Sequence, residues 1–119
     1  MSKLSEIGKY KRLAELFVLA IKTEKNSNEA KYIEAITRLM DHGLSERKAK
    51  NFMDGAVGRM QNQTMLRPVE KILKDVSIYF RRDDHNFILA QIQRILESGA
   101  ISDSGQEFFD LCCTYFYHS

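Results

Sequence analysis

The chain has 119 residues, 44% of them hydrophobic, which is enough to close one core without metals or disulfide staples. One proline and six glycines are too few for the turns of a many-stranded sandwich or barrel, so the composition favours helices. A formal net charge of +2 is too balanced to attract a polyanion over a long range. We expect a single helical domain spanning residues 1–119.

The sequence predicts neither a membrane span nor an export signal. Its apolar runs fall short of the roughly 18 residues that cross a bilayer, and no apolar segment with a small-residue cleavage site follows the N-terminus. Cys112 and Cys113 are neighbours in a predicted helix, where their side chains diverge and do not form an ordinary structural disulfide. We therefore expect a cytoplasmic protein.

The first two helices are predicted from apolar residues at three- and four-residue steps. Helix one runs from Ser5 to about Glu24, with a single inward stripe of Leu13, Leu16, Phe17, Ala20 and Ile21. Helix two starts at Asn26, which forms a capping box with Glu29, and ends at His42-Gly43, where glycine can adopt the left-handed conformation. Its inward residues are Tyr32, Ile33, Ile36, Leu39 and Met40.

Helix three is predicted from about Glu46 to Asn62, with Ser45 as its N-cap. Its inward residues are Ala49, Phe52, Met53, Ala56, Val57 and Met60. We interpret Gly55 and Gly58 within it as allowing a close helix crossing. A polar joint near residues 61–64 then separates the two halves of the chain.

The second half of the chain predicts three more helices. Helix four has Pro68 in its first turn and extends to Arg82, so that Arg81 and Arg82 complement the negative pole of the helix. Helix five follows, with an apolar face of Phe87, Ile88, Leu89, Ile92, Ile95 and Leu96. Helix six begins after Ser102 and has aromatic residues on more than one face. We expect it to be packed, against the domain itself or against a second chain.

The most polar cluster is Asp83, Asp84 and His85, which could hold a divalent cation. Because adjacent side chains rarely converge on one point, we favour a cationic helix end followed by an acidic helix start, and we predict no metal or cofactor. His42 and His118 lack a partner at the spacing of a zinc site, and neither cysteine has a histidine placed to activate it. We therefore expect no enzyme, and cation binding at this cluster stays open.

Two groups of polar or aromatic residues are candidates for interaction. Basic residues of helices one and three could form a surface for phosphates if the helices lie side by side, although neighbouring acids dilute them. Aromatic residues of helix six could contact a protein partner or a second copy of the chain. The candidate interaction residues are Tyr115, Tyr117, Lys9, Arg12, Arg47, Lys48, Arg81 and Arg82.

Two segments, Leu13 to Leu44 and Ile88 to Phe116, share the order apolar helix, joint, capped helix. The second contains Ser98-Gly99-Ala100-Ile101-Ser102 before its capped helix, which resembles the TerB-like (tellurite-resistance-type) helical family. Repeats of that family read apolar helix, Asp-Gly-x-Ile-Ser, then a helix opening with Glu and two apolar positions. Here the acidic positions are occupied by Lys22, Ser98 and Gly105, so the resemblance does not extend to the acids usually proposed to hold metal.

The sequence therefore predicts an all-α fold, a compact array of about six amphipathic helices, with an internal two-fold repeat of helix pairs left open. We expect a non-catalytic cytoplasmic adaptor of TerB-like type that acts through an exposed helical face. The resemblance implies a role in bacterial stress response. One alternative is a small phage or mobile-element inhibitor that binds a host protein, and another is a weak nucleic-acid-binding regulator. The expected partner is a protein, with a homodimer also open.

Overall fold

The computed structural model describes residues 3–23, 29–61, 66–98 and 101–118, which form six α-helices and no strand. The helices are α1 (Lys3–Lys22), α2 (Glu29–Met40), α3 (Glu46–Met60), α4 (Leu66–Tyr79), α5 (Arg82–Glu97) and α6 (Asp103–His118). The predicted all-α fold of about six helices is confirmed. Asn26 and most of the joint near 61–64 lie outside the described residues, and the internal repeat stays a prediction.

The α1 helix lies at the centre of the array and packs against each of the other five helices. Every side chain from Leu13 to Ala20 is buried, including the carboxylate-bearing Glu15. The predicted single stripe is therefore wrong for this part of the helix. A helix surrounded by neighbours buries all its faces, and the nearly continuous apolar run in its sequence reflects this position.

The α2 helix is rotated about its axis relative to the prediction. Ile33 and Met40 are 55% and 38% exposed, whereas Lys31 is fully buried. Lys31 Nζ donates to the carbonyl oxygens of Ile95 and Leu96 at the end of α5. The last carbonyls of a helix have no intrahelical partner and carry partial negative charge, so they can hold a buried ammonium group. Periodicity arguments assign lysine to the solvent side and therefore miss this arrangement.

The connection between α2 and α3 follows the sequence prediction. Gly43 has φ of 91°, in the left-handed region that favours glycine, and Ser45 Oγ accepts a hydrogen bond from the backbone N–H of Lys48 at 3.2 Å. The close crossing predicted at the glycines of α3 is wrong. A Cβ atom on Gly58 would meet nothing within 4 Å, and one on Gly55 would meet only the side chain of Arg59.

The corner between α4 and α5 differs from the prediction. The α4 helix ends at Tyr79, the chain bends at the buried Phe80, and Arg81 is the N-cap of α5 with Arg82 as its first residue. Both arginines therefore belong to the positive pole of α5, and their predicted role at the negative pole of α4 is wrong. The two following aspartates lie in the first turn of α5, as expected.

The C-terminal helix packs against α1, α4 and α5, which confirms that it is not a free tail. The buried residues on its apolar face are Phe108, Cys112 and Phe116.

One residue of α5 that was predicted to lie in the core does not: Phe87 is 45% exposed. Its ring packs edge-on against His42, with 5.4 Å between the centroids, at the rim of the core rather than inside it.

Candidate functional site

A groove with a volume of about 510 Å3 lies between the N-terminal halves of α1 and α3. We call it the α1–α3 groove. Its lining residues are Glu6, Ile7 and Tyr10 of α1, Leu44 of the α2–α3 connection, and Lys48, Asn51 and Phe52 of α3. Ile7 is 51% exposed, and Tyr10, Leu44 and Phe52 are half-buried. Solvent therefore reaches apolar surface inside a concave site.

The two walls of the groove run side by side in the same direction. The ring centroids of Tyr10 and Phe52 lie 6.1 Å apart, and further along both helices Glu15 Oε2 lies 3.5 Å from Arg59 Nε. Residues three and four apart on one helix share a face, so Ile7 and Tyr10 line one wall as a pair. The groove is thus a product of the α1–α3 packing and not of either helix alone.

Behind the groove, five rings form what we call the aromatic cluster: Tyr10, His42, Phe52, Phe80 and Phe87. Tyr10 lies 5.9 Å from His42 and 6.3 Å from Phe80, centroid to centroid, and His42 lies 5.6 Å from Phe80. Most of these pairs meet edge to face, the arrangement that the quadrupoles of aromatic rings favour. The cluster ties the groove wall to the α2–α3 turn and to the α4–α5 corner.

Charges of both signs surround the aromatic cluster. Lys9 Nζ lies 4.5 Å from the centroid of the Phe80 ring, within the range of a cation–π interaction. Burial raises the pKa of Tyr10, and the negative charges of Glu6 and Asp84 raise it further. Burial lowers the pKa of His42, because it disfavours the charged imidazolium form. The groove thus combines an apolar floor with charged residues at its margins.

Of the eight residues proposed from the sequence, the structure brings Lys9 and Lys48 to this site. Lys48 lines the groove, and Lys9 lies over the aromatic cluster. Arg12 instead forms ion pairs, with Nη1 at 2.5 Å from Glu15 and Nε at 3.0 Å from Asp75. The hydrogen bond with Glu15 raises the pKa of Arg12. The two ion pairs hold the guanidinium against α1 and α4.

The remaining five proposed residues do not line the groove. Arg47 is exposed on α3 without lining it, and Arg81 and Arg82 are exposed at the α4–α5 corner. Tyr117 is 62% exposed on α6 and Tyr115 is half-buried there. Of the eight residues, Lys48 is therefore the one that lines the α1–α3 groove.

The polar cluster at the start of α5 does not converge. His85 is buried, with Nε2 at 3.2 Å from the carbonyl oxygen of Phe80 and its ring 4.9 Å from that of Phe116, whereas Asp83 is exposed. Within the described parts of the chain, no three His, Cys, Asp or Glu side chains are grouped as metal ligands.

Sequence reasoning missed most of the groove, although part of the signal is visible. Ile7 and Tyr10 extend the apolar pattern of α1 by three-residue steps towards the N-terminus, ahead of Leu13. Phe52 lies on the predicted inward stripe of helix three, but no sequence signal indicates that it and Leu44 share a groove, because that depends on how α3 packs against α1.

Comparison of the chain with protein-family models, curated proteins and solved structures finds no significant match. Among the described residues, no helix is long and apolar enough to cross a membrane.

Proposed function

We propose that this protein is a non-catalytic binding module that recognises a partner protein through the α1–α3 groove. The observation that carries the proposal is the exposure of Ile7 beside the half-buried Tyr10 and Phe52 in a concave site. Covering such apolar surface releases free energy roughly in proportion to the area removed from water. Glu6 and Lys48 at the margins supply the polar rim that is typical of a protein interface.

The chemistry near the groove supports binding rather than catalysis. The histidine of the aromatic cluster, His42, pairs through Nε2 with Gln91 Oε1 at 2.9 Å. His42 therefore binds the buried side-chain amide of Gln91 and is surrounded by aromatic rings. A general base would instead contact a nucleophile. The proposal accordingly assigns no reaction to the groove.

Ion pairs occupy part of the basic surface that a nucleic acid would need. Of the basic residues expected to form a phosphate-binding surface, Arg12 is paired with Glu15 and Asp75, and Lys50 lies 3.8 Å from Asp54. Nucleic-acid affinity depends on cations that can replace the counterions of phosphates, and paired cations contribute less to this.

The finer proposal is a TerB-like adaptor of the cytoplasm in a bacterial stress-related system. Its support is the segment that resembles the family's repeat, where α5 ends at Glu97 and Ser102 Oγ accepts from the N–H of Gly105 to cap α6. The free thiols of Cys112 and Cys113 are compatible with a reducing compartment. A phage-encoded inhibitor would use the same groove, and the identity of the partner separates these two proposals.

Affinity capture from the native host tests the proposal. The bait proteins are the wild type, Ile7→Glu, and Ile78→Glu, which makes the same change at a 70% exposed isoleucine of α4 outside the groove. We expect a protein retained by the wild type and by Ile78→Glu but lost with Ile7→Glu, and its binding should persist when both proteins are purified. A purified partner that binds all three proteins equally would contradict the proposal.

A further inference from the structure

The shape of the α1–α3 groove selects the secondary structure of its occupant. Its long walls are two helices aligned in the same direction, and a channel between two helices accepts the side-chain ridge of a third. The wall residues lie inside α1 and α3, so the backbone there is engaged in helical hydrogen bonds. An extended strand would find no sheet edge among the described residues, whereas a helix satisfies its own backbone.

The charges of the groove determine which charges the two edges of that helix should carry. Glu6 lies on the α1 wall and Lys48 on the α3 wall, both are exposed, and neither has an ion-pair partner among the described residues. An occupant lying between them places one edge near a carboxylate and the other near an ammonium group. Complementary charges at these edges favour the correct partner and its orientation.

We propose that the groove binds an amphipathic helix of the partner protein, with an apolar stripe flanked by one basic and one acidic edge. This inference rests on the proposed function and adds the chemical nature of the partner segment. The apolar stripe contacts Ile7, Tyr10 and Phe52, the basic edge faces Glu6, and the acidic edge faces Lys48.

Three synthetic helical peptides of about 18 residues, or five turns, test the inference. They share one apolar stripe and differ in their edges, which are one basic and one acidic, both basic, or both acidic. Fluorescence anisotropy at low salt measures their affinities. We expect the wild type to bind the mixed peptide, which has one basic and one acidic edge, most tightly. Its affinity should be roughly 1.5- to 5-fold higher for each exposed charge pair gained. Because reversing a helix exchanges its edges, this comparison does not depend on the direction of binding.

Charge-reversal variants supply the decisive comparison. Lys48→Glu gives the groove two acidic walls and should prefer the peptide with two basic edges. Glu6→Lys gives two basic walls and should prefer the peptide with two acidic edges. The first substitution also places an acid three residues after the N-cap Ser45, a position that favours the helix, so the variant is expected to fold.

Two control variants carry the same charge changes outside the groove. Arg47→Glu and Glu70→Lys alter exposed residues of α3 and α4 that do not line it, and both should keep the wild-type order of affinities. The inference is overturned if the groove variants keep that order, if a proline-rich peptide binds more tightly than the mixed helix, or if no helical peptide binds. Host-protein capture that still depends on Ile7 would then leave the proposed function intact and reject only the helical occupant.

Discussion

Gln91 holds His42 in one orientation. The Gln91 side chain is buried, and its Nε2 donates to the backbone carbonyl of Arg38 at 2.7 Å, which leaves Oε1 facing His42 Nε2 at 2.9 Å. Since an amide oxygen only accepts, His42 Nε2 is the donor, and neutral His42 has its proton on that atom. Acid must therefore protonate Nδ1.

This relationship predicts that acid destabilises the fold through His42. Burial lowers the pKa of His42 from its ordinary value of 6.5, so the unfolded chain binds the extra proton more readily than the folded chain. The free energy of unfolding should therefore fall as the pH drops below about 6.5, until the folded form is protonated as well. Urea unfolding across this pH range measures the effect.

The groups that face His42 include charges of both signs. Lys9 from α1 further lowers the pKa, whereas the Gln91 hydrogen bond and the charges of Asp41 and Asp84 oppose the decrease. His42→Phe retains an aromatic ring and has no proton to gain, so its unfolding free energy should decline less than that of the wild type over the same range. Equal declines in both proteins would assign the acid sensitivity to other groups.

Two glycine substitutions should have opposite signs. Gly58→Ala lies inside α3 with open space around a new Cβ atom, so it should raise the free energy of unfolding by about 0.5–1 kcal/mol through helix propensity. Gly43→Ala also meets no neighbour, but its φ of 91° is strained for an L side chain and should cost about 1–2 kcal/mol. Denaturant unfolding of both variants tests this. Changes in the free energy of unfolding that have the same sign in both variants would contradict the assigned backbone conformation.

Lys31 should contribute to stability through the end of α5. Lys31→Met removes the donor that binds the Leu96 carbonyl and leaves that acceptor inside the protein, so we expect a loss of about 1–3 kcal/mol. Lys71→Met is the matched control, because Lys71 is exposed on α4, and its effect should stay within about 0.5 kcal/mol. Equal losses of stability for the two variants in thermal or urea unfolding would contradict the structural role of Lys31.

Local sequence signals were sufficient for the helices but not for the groove. Ser45 and Gly43 mark a cap and a turn through chemistry that acts within a few residues, so both could be predicted. Tyr10 and Phe52 come together only because α1 and α3 pack in parallel, and that arrangement is set by contacts between distant parts of the chain.

Contacts of two charged residues were likewise not visible in the sequence. Lys31 is buried because it meets the end of α5, and Arg12 is fixed because Asp75 of α4 lies beside it. The α5 carbonyls that bind Lys31 and the Asp75 carboxylate beside Arg12 are both distant in sequence, so periodicity alone does not reveal these contacts. One candidate interaction residue, Arg12, is thus also a side chain that forms ion pairs within the fold.

The central claim is that a partner protein binds the α1–α3 groove rather than the exposed aromatic surface of α6. The most direct test is the dissociation constant of the purified partner, measured by calorimetry for Ile7→Glu, Ile78→Glu and Tyr117→Glu. We predict a weakening of about tenfold or more for Ile7→Glu, equivalent to about 1.4 kcal/mol, and wild-type affinity for the other two. Wild-type affinity of Ile7→Glu together with weakened binding of Tyr117→Glu would contradict the account and place the interface on α6.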